Sequence, residues 1–159
     1  YLNGYVSNLR YVVGSALYSG NSFTVPTKPL TATPQTVLLT CNNYGFNDVS
    51  PTNSTWTRGG DATVCKFSPF TFYQIAPASY STSFTGNSGN YITAPYNSAY
   101  DLPGDFTIET WFYLNSTGTT CLIARWPSGS SFAYLLFCSS TGFTFATANS
   151  GTYSTQIDT

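Results

Sequence analysis

Histidine and methionine are absent from this 159-residue chain, and charged residues make up only 7% of it. Without histidine, a Ser–His or Cys–His nucleophile is excluded. The same absence, with no Cys-x-x-Cys spacing, leaves no expectation of a zinc site. The five basic residues, Arg10, Lys28, Arg58, Lys66 and Arg125, are scattered. They cannot neutralise a row of phosphates, so a nucleic-acid partner is not expected. No basic amphipathic stretch marks a membrane surface. No apolar run approaches the roughly 18–20 residues of a spanning helix, so membrane insertion is not expected either. Good helix formers such as Lys, Glu, Gln and Arg are scarce.

The chain is instead rich in aromatic residues, with 13 Tyr, 12 Phe and 3 Trp inside a 42% hydrophobic composition. Aromatic and β-branched side chains fit a pleated, half-buried surface. Solubility then rests on Ser, Thr, Asn and Gly. Four cysteines, Cys41, Cys65, Cys121 and Cys138, allow three pairings. An even count in a charge-poor, Tyr-rich chain suggests an oxidising compartment. Cys41–Cys65 and Cys121–Cys138 are the expected disulfides, because each pair brackets a hairpin-like stretch. The alternative is four buried thiols.

Patterning along the chain is that of strands. Gly4 to Val13 alternates with period two, placing Tyr5, Ser7, Leu9 and Tyr11 on one face and Val6, Asn8, Arg10 and Val12 on the other. Pro26, Pro29 and Pro34 then favour extended chain, so residues 20–35 read as a strap over a surface. Short strands are expected over 36–41, 62–67 and 91–94. Residues 68–80 read as an aromatic connector. Asp105 to Leu114 alternates well, with Phe106, Ile108, Phe112 and Leu114 opposite Glu109, Trp111 and Tyr113. Cys121–Trp126 and Phe132–Cys138 flank a hairpin loop at Pro127-Ser128-Gly129-Ser130. Further strands follow over 142–148 and 151–157. Short strands at about 8–12-residue spacing indicate an all-β sandwich or barrel.

The stretch Gly104-Asp105-Phe106-Thr107-Ile108-Glu109-Thr110-Trp111, within residues 84–114, resembles the opening of a laminin-G-like, concanavalin A-like jelly-roll domain. Gly4-Tyr5-Val6-Ser7-Asn8-Leu9-Arg10 resembles the closing strand of the same family. Ala16-Leu17-Tyr18, Leu38-Leu39-Thr40-Cys41 and Phe67-Ser68-Pro69-Phe70 are similar to inter-domain segments of tandem-domain tail or fibre proteins of tailed phages. The resemblance implies an antiparallel β-sandwich, incomplete within this chain. No Trp-His-His-Val-Ala-like strand and no Tyr-Val-Asp-Gly hairpin is present. The closing half precedes the opening half: residues 1–35 form a closing strand and strap, 36–80 an inter-domain segment, and 81–159 an opening half. Two arrangements fit. The chain spans the junction of two tandem domains, or it is a subunit completed by its neighbour through strand addition. Tyr1-Leu2-Asn3-Gly4-Tyr5, with no initiator Met, reads as a processed chain or a piece of a longer one.

Six carboxylates are available: Asp48, Asp61, Asp101, Asp105, Glu109 and Asp158. Glucanases of this fold carry acid and nucleophile roughly 5–5.5 Å apart. Asp105 and Glu109 share a strand face at roughly 13 Å, so no enzyme is expected. Glu109 beside Trp111 is a candidate glycan contact, set against a framework role in packing the sandwich. Calcium takes about six to eight oxygens. Asp48, Asp101 and Asp105 are its only candidate ligands, and Asp is also an ordinary turn residue, so no cofactor is expected. Tyr5, Tyr11, Tyr18, Tyr44, Tyr73, Tyr80 and Tyr96 exceed what a core needs and point to interfaces. Asn53 and Asn115 open N-x-Ser/Thr sequons. The expected function is a structural segment of an extracellular fibre, tail or virion appendage, self-associating and in contact with surface glycans. A stand-alone secreted lectin or adhesin is the alternative.

Overall fold

The computed structural model describes residues 1–70, 80–126, 133–149 and 152–158. Among them the chain is all-β, with antiparallel sheets, one of them curled into a half-barrel. The strands are β1 (Asn3–Val13), β2 (Thr36–Thr40), β3 (Thr57–Gly59), β4 (Thr63–Cys65), β5 (Ser81–Thr85), β6 (Tyr91–Thr93), β7 (Phe106–Leu114), β8 (Thr120–Arg125), β9 (Tyr134–Ser139), β10 (Gly142–Asn149) and β11 (Thr152–Asp158). Among the described residues a single 3-10 turn, Ser98–Tyr100, is capped by the Asn97 side chain. The expected hairpin loop at 127–130, Phe132, and most of the 68–80 connector with Tyr73 lie outside the described residues.

β1 organises the larger sheet. β7 pairs along both of its halves, Gly4–Ser7 and Arg10–Val13. The opposite edge is therefore shared, with β5 on Asn3–Val6 and β2 on Leu9–Val12. The register with β7 breaks between Ser7 and Arg10, where Asn8 adopts a left-handed φ of 53°. This is a β-bulge, and it corrects the strict alternation expected for this strand. Val6, Leu9 and Tyr11 all enter the core, whereas Tyr5 packs outward on Phe67 and Tyr113. The bulge also bends β1, which lets two strands share one edge and curls the sheet.

The four-stranded sheet runs β11-β10-β9-β8. It packs on the first through aromatic pairs: Tyr11–Tyr134 at 5.9 Å, Phe106–Phe145 at 5.4 Å and Phe112–Phe143 at 5.5 Å between ring centroids. Tyr11, Val12 and Leu39 are fully buried. Each such side chain contributes about 1.5–3 kcal/mol by leaving water.

The segment that follows β1 is tied back to β7 and β1 by hydrogen bonds. The Leu17 N–H donates to Thr107 Oγ1 at 2.9 Å and the Leu30 N–H to Asn8 Oδ1 at 2.9 Å. Leu30 is buried there.

The expected disulfides are absent, and all four cysteines are free thiols. Cys41 Sγ accepts from Thr82 Oγ1 at 3.4 Å, and Cys65 Sγ lies 3.1 Å from Ser81 Oγ. Ser81 and Thr82 are consecutive on β5, so they point to opposite faces and separate the two sulfurs. In the second pair, Cys138 sits opposite Thr120 while Cys121 sits opposite Phe137. Adjacent register positions again face opposite ways, with Cys138 buried and Cys121 exposed.

Candidate functional site

The residues that sequence patterning singled out do not converge on one site. Glu109 is occupied internally. Its Oε1 takes the Arg10 guanidinium through both Nε and NH2, and the Tyr18 hydroxyl donates to Oε2 at 2.5 Å. Arg10 also donates to the Thr31 carbonyl at 2.8 Å, so strap, β1 and β7 meet at this ion pair. Burial and the carboxylate together raise the Tyr18 phenol above its ordinary value. Trp111 packs edge-on against Phe70 at 5.0 Å. Both Glu109 and Trp111 are half-buried.

Asp48 is buried and organises a turn. Its Oδ1 accepts from the N–H groups of Leu39 and Ser50, and its Oδ2 from that of Ser54. Asp101 pairs with Arg125 at 2.6 Å and accepts from the Tyr96 hydroxyl at 3.1 Å. Asp105 lends its backbone carbonyl to the Gly14 N–H at 2.7 Å. Among the described residues no three His, Cys, Asp or Glu side chains cluster to hold a metal ion. Asn53 and Asn115 are exposed. Asn53 has a left-handed φ of 48°, and the Asn115 amide donates to Asn3 Oδ1 at 3.2 Å.

Geometry gathers a different set. Two adjoining clefts, of about 660 and 370 Å³, open between the sheets on the β8 side and share Trp56, Ile92, Ile123, Ala124 and Trp126. The larger reaches the core residues Val6, Leu9 and Phe84. At the mouth of the smaller, the Arg125 guanidinium lies 4.8 Å above the Tyr96 ring. Tyr96 is 66% exposed and Trp126 55%. Trp56 Nε1 and Arg125 Nε are buried without a hydrogen-bond partner among the described residues. Deeper in, Tyr11 donates to the Tyr100 carbonyl at 3.2 Å, and burial pushes the Tyr134 phenol up to about 12. The clefts offer apolar floor, flat aromatic walls and unfilled donors, which suits binding an amphipathic chain.

Of the tyrosines expected at interfaces, Tyr44 and Tyr96 are exposed, whereas Tyr11 is fully buried. Pattern reasoning missed Trp56, Ile92 and Trp126 as a group. They come from three separate segments, and the only local signal was a large aromatic beside a turn.

No family profile, curated protein or solved structure matches this chain.

Proposed function

We propose that this chain is a non-enzymatic structural unit of an extracellular fibre, tail or virion-surface appendage. On this reading the sheets belong to a jelly-roll sandwich of the laminin-G-like type that neighbouring chain completes. The observation that carries it is the cleft of about 660 Å³ between the sheets, a space that the interior of a closed sandwich would not leave open. Unpaired strand edges support it, since β7, β8 and β11 each have one strand partner among the described residues. Such edges invite pairing with another chain. A chain with 7% charged residues and many tyrosines is suited to packing against copies of itself.

A second reading, adhesion to surface glycans, is favoured by Tyr96 and Trp126 exposed beside the Arg125–Asp101 pair. Aromatic faces stack on sugar rings while the charged pair hydrogen-bonds hydroxyls.

Electron microscopy and light scattering of the purified chain at rising concentration test the first reading. Ordered oligomers or filaments are expected, and a monodisperse monomer throughout would overturn it. A glycan array tests the second. Binding that Trp126→Ala abolishes supports a lectin, and an array blank with the unaltered chain rejects it.

A further inference from the structure

The segment after β1 is anchored at both ends and free between them. On the near side the Leu17 N–H donates to Thr107 Oγ1 and the Tyr18 hydroxyl to Glu109. On the far side the Leu30 N–H donates to Asn8 Oδ1, and the Thr31 carbonyl accepts from Arg10. Between these anchors, no backbone group of residues 19–29 hydrogen-bonds within the described residues. Residues 19–25 are all exposed, as are Thr27 and Lys28. Pro26 keeps Val25 extended, because its ring disfavours the helical region for the residue before it. We propose that this segment is a proteolytic nicking site, cut between Phe23 and Thr24 by proteases with a pocket for a large apolar side chain.

A protease draws its substrate into an extended strand, so a backbone with no bonds to break is engaged with the least local opening. Residues 19–29 meet that condition, and their side chains choose the bond. Phe23 is exposed, with its ring 4.8 Å from that of Tyr18. Lys28 is followed by Pro29, which lacks an N–H and crowds the bond, so an enzyme that selects basic residues is refused. Tyr44 and Tyr96 have side chains more exposed than Phe23, but their backbone is committed to turns. The Gly45 N–H donates to Asn43 Oδ1 at 2.9 Å, and Asn97 accepts from the N–H groups of Ala99 and Tyr100. Water adds across the Phe23–Thr24 amide, leaving a carboxylate on Phe23 and an amine on Thr24. Both pieces stay in place. Residues 1–23 keep β1, which pairs with β2, β5 and β7 and buries Val6, Leu9, Tyr11 and Val12. The nicked molecule is thus two pieces around one core.

Brief digestion with chymotrypsin, read by intact mass and by size exclusion, tests the site. A piece ending at Phe23 and one starting at Thr24 should appear before any cut after Tyr44 or Tyr96. The two should elute together at the volume of the uncut chain and unfold in one cooperative transition. Phe23→Ala, at an exposed position that the fold does not need, should slow cleavage within residues 19–29 by about tenfold or more, because the protease pocket is left empty. Earlier cleavage after Tyr44 or Tyr96 would overturn the proposal. So would a piece of residues 1–23 that elutes alone, or an unchanged rate of cleavage within residues 19–29 in Phe23→Ala.

Discussion

Glu109 is the residue at which local pattern and tertiary contact are easiest to separate. Beside Trp111, a carboxylate on a strand invites a sugar-binding reading. In the fold its oxygens are taken by Arg10 and Tyr18, and the side chains of Arg10 and Glu109 are only 10% and 12% exposed. An ion pair so enclosed contributes little net stability over an apolar pair, but removing one partner strands the other charge. Glu109→Ala should therefore destabilise the chain by about 3–5 kcal/mol, read as a lower denaturant midpoint. A loss below about 1 kcal/mol would mean that Arg10 reaches water and that the strap does not enclose the pair.

Among the elements, the strands were legible and their irregularities were not. Nine of the strands in the fold fall on stretches whose alternation or turn chemistry marked them, while β3 and β5 have composition too polar and too rich in Ser, Thr and Gly to stand out. The bulge in β1 was illegible because nothing in Ser7-Asn8-Leu9 breaks the period. What fixes it is distant: the Asn8 N–H donates to the Cys41 carbonyl at 3.0 Å, and Asn8 Oδ1 accepts from Leu30. Asparagine tolerates the left-handed region, and a β-branched residue does not. Asn8→Val should cost more than Asn8→Gly, by about 1–3 kcal/mol, since both lose the side-chain hydrogen bonds to Leu30 and Ser7 while valine alone adds backbone strain. Limited proteolysis within residues 15–30 should quicken in both variants, because the bond that tethers Leu30 is gone. Equal midpoints for the two would show that the bulge relaxes without strain.

At the scale of the whole molecule, the all-β class follows from composition, but the cleft does not. It is assembled from β1, β5, β6 and β8, whose proximity depends on the curl of one sheet, and no local pattern encodes that. The two sheets are joined at the centre by Tyr11 and Tyr134, 0% and 3% exposed, and this junction makes stability depend on alkaline pH. Burial is the main cause that raises both phenols, Tyr134 to about 12 and Tyr11 further, while burial pushes the Cys41 thiol up to about 11. Each group is neutral in the folded chain at a pH where it ionises once unfolded. The folded state then holds protons that the unfolded state has released, so stability falls as pH rises. The loss should begin near the thiol's ordinary value of 9.0 and steepen above 10.0, where unfolded tyrosine ionises, continuing to about 12. With no histidine in the chain, nothing of that type titrates near neutrality. Melting temperature measured against pH should thus be level around neutrality and decline through the alkaline range. Tyr134→Phe should flatten that decline above pH 10.0 without moving its thiol-driven onset. A profile that stays level to about 12 would mean that both phenols ionise freely in the folded state, and the sheets would then not be sealed together at this point.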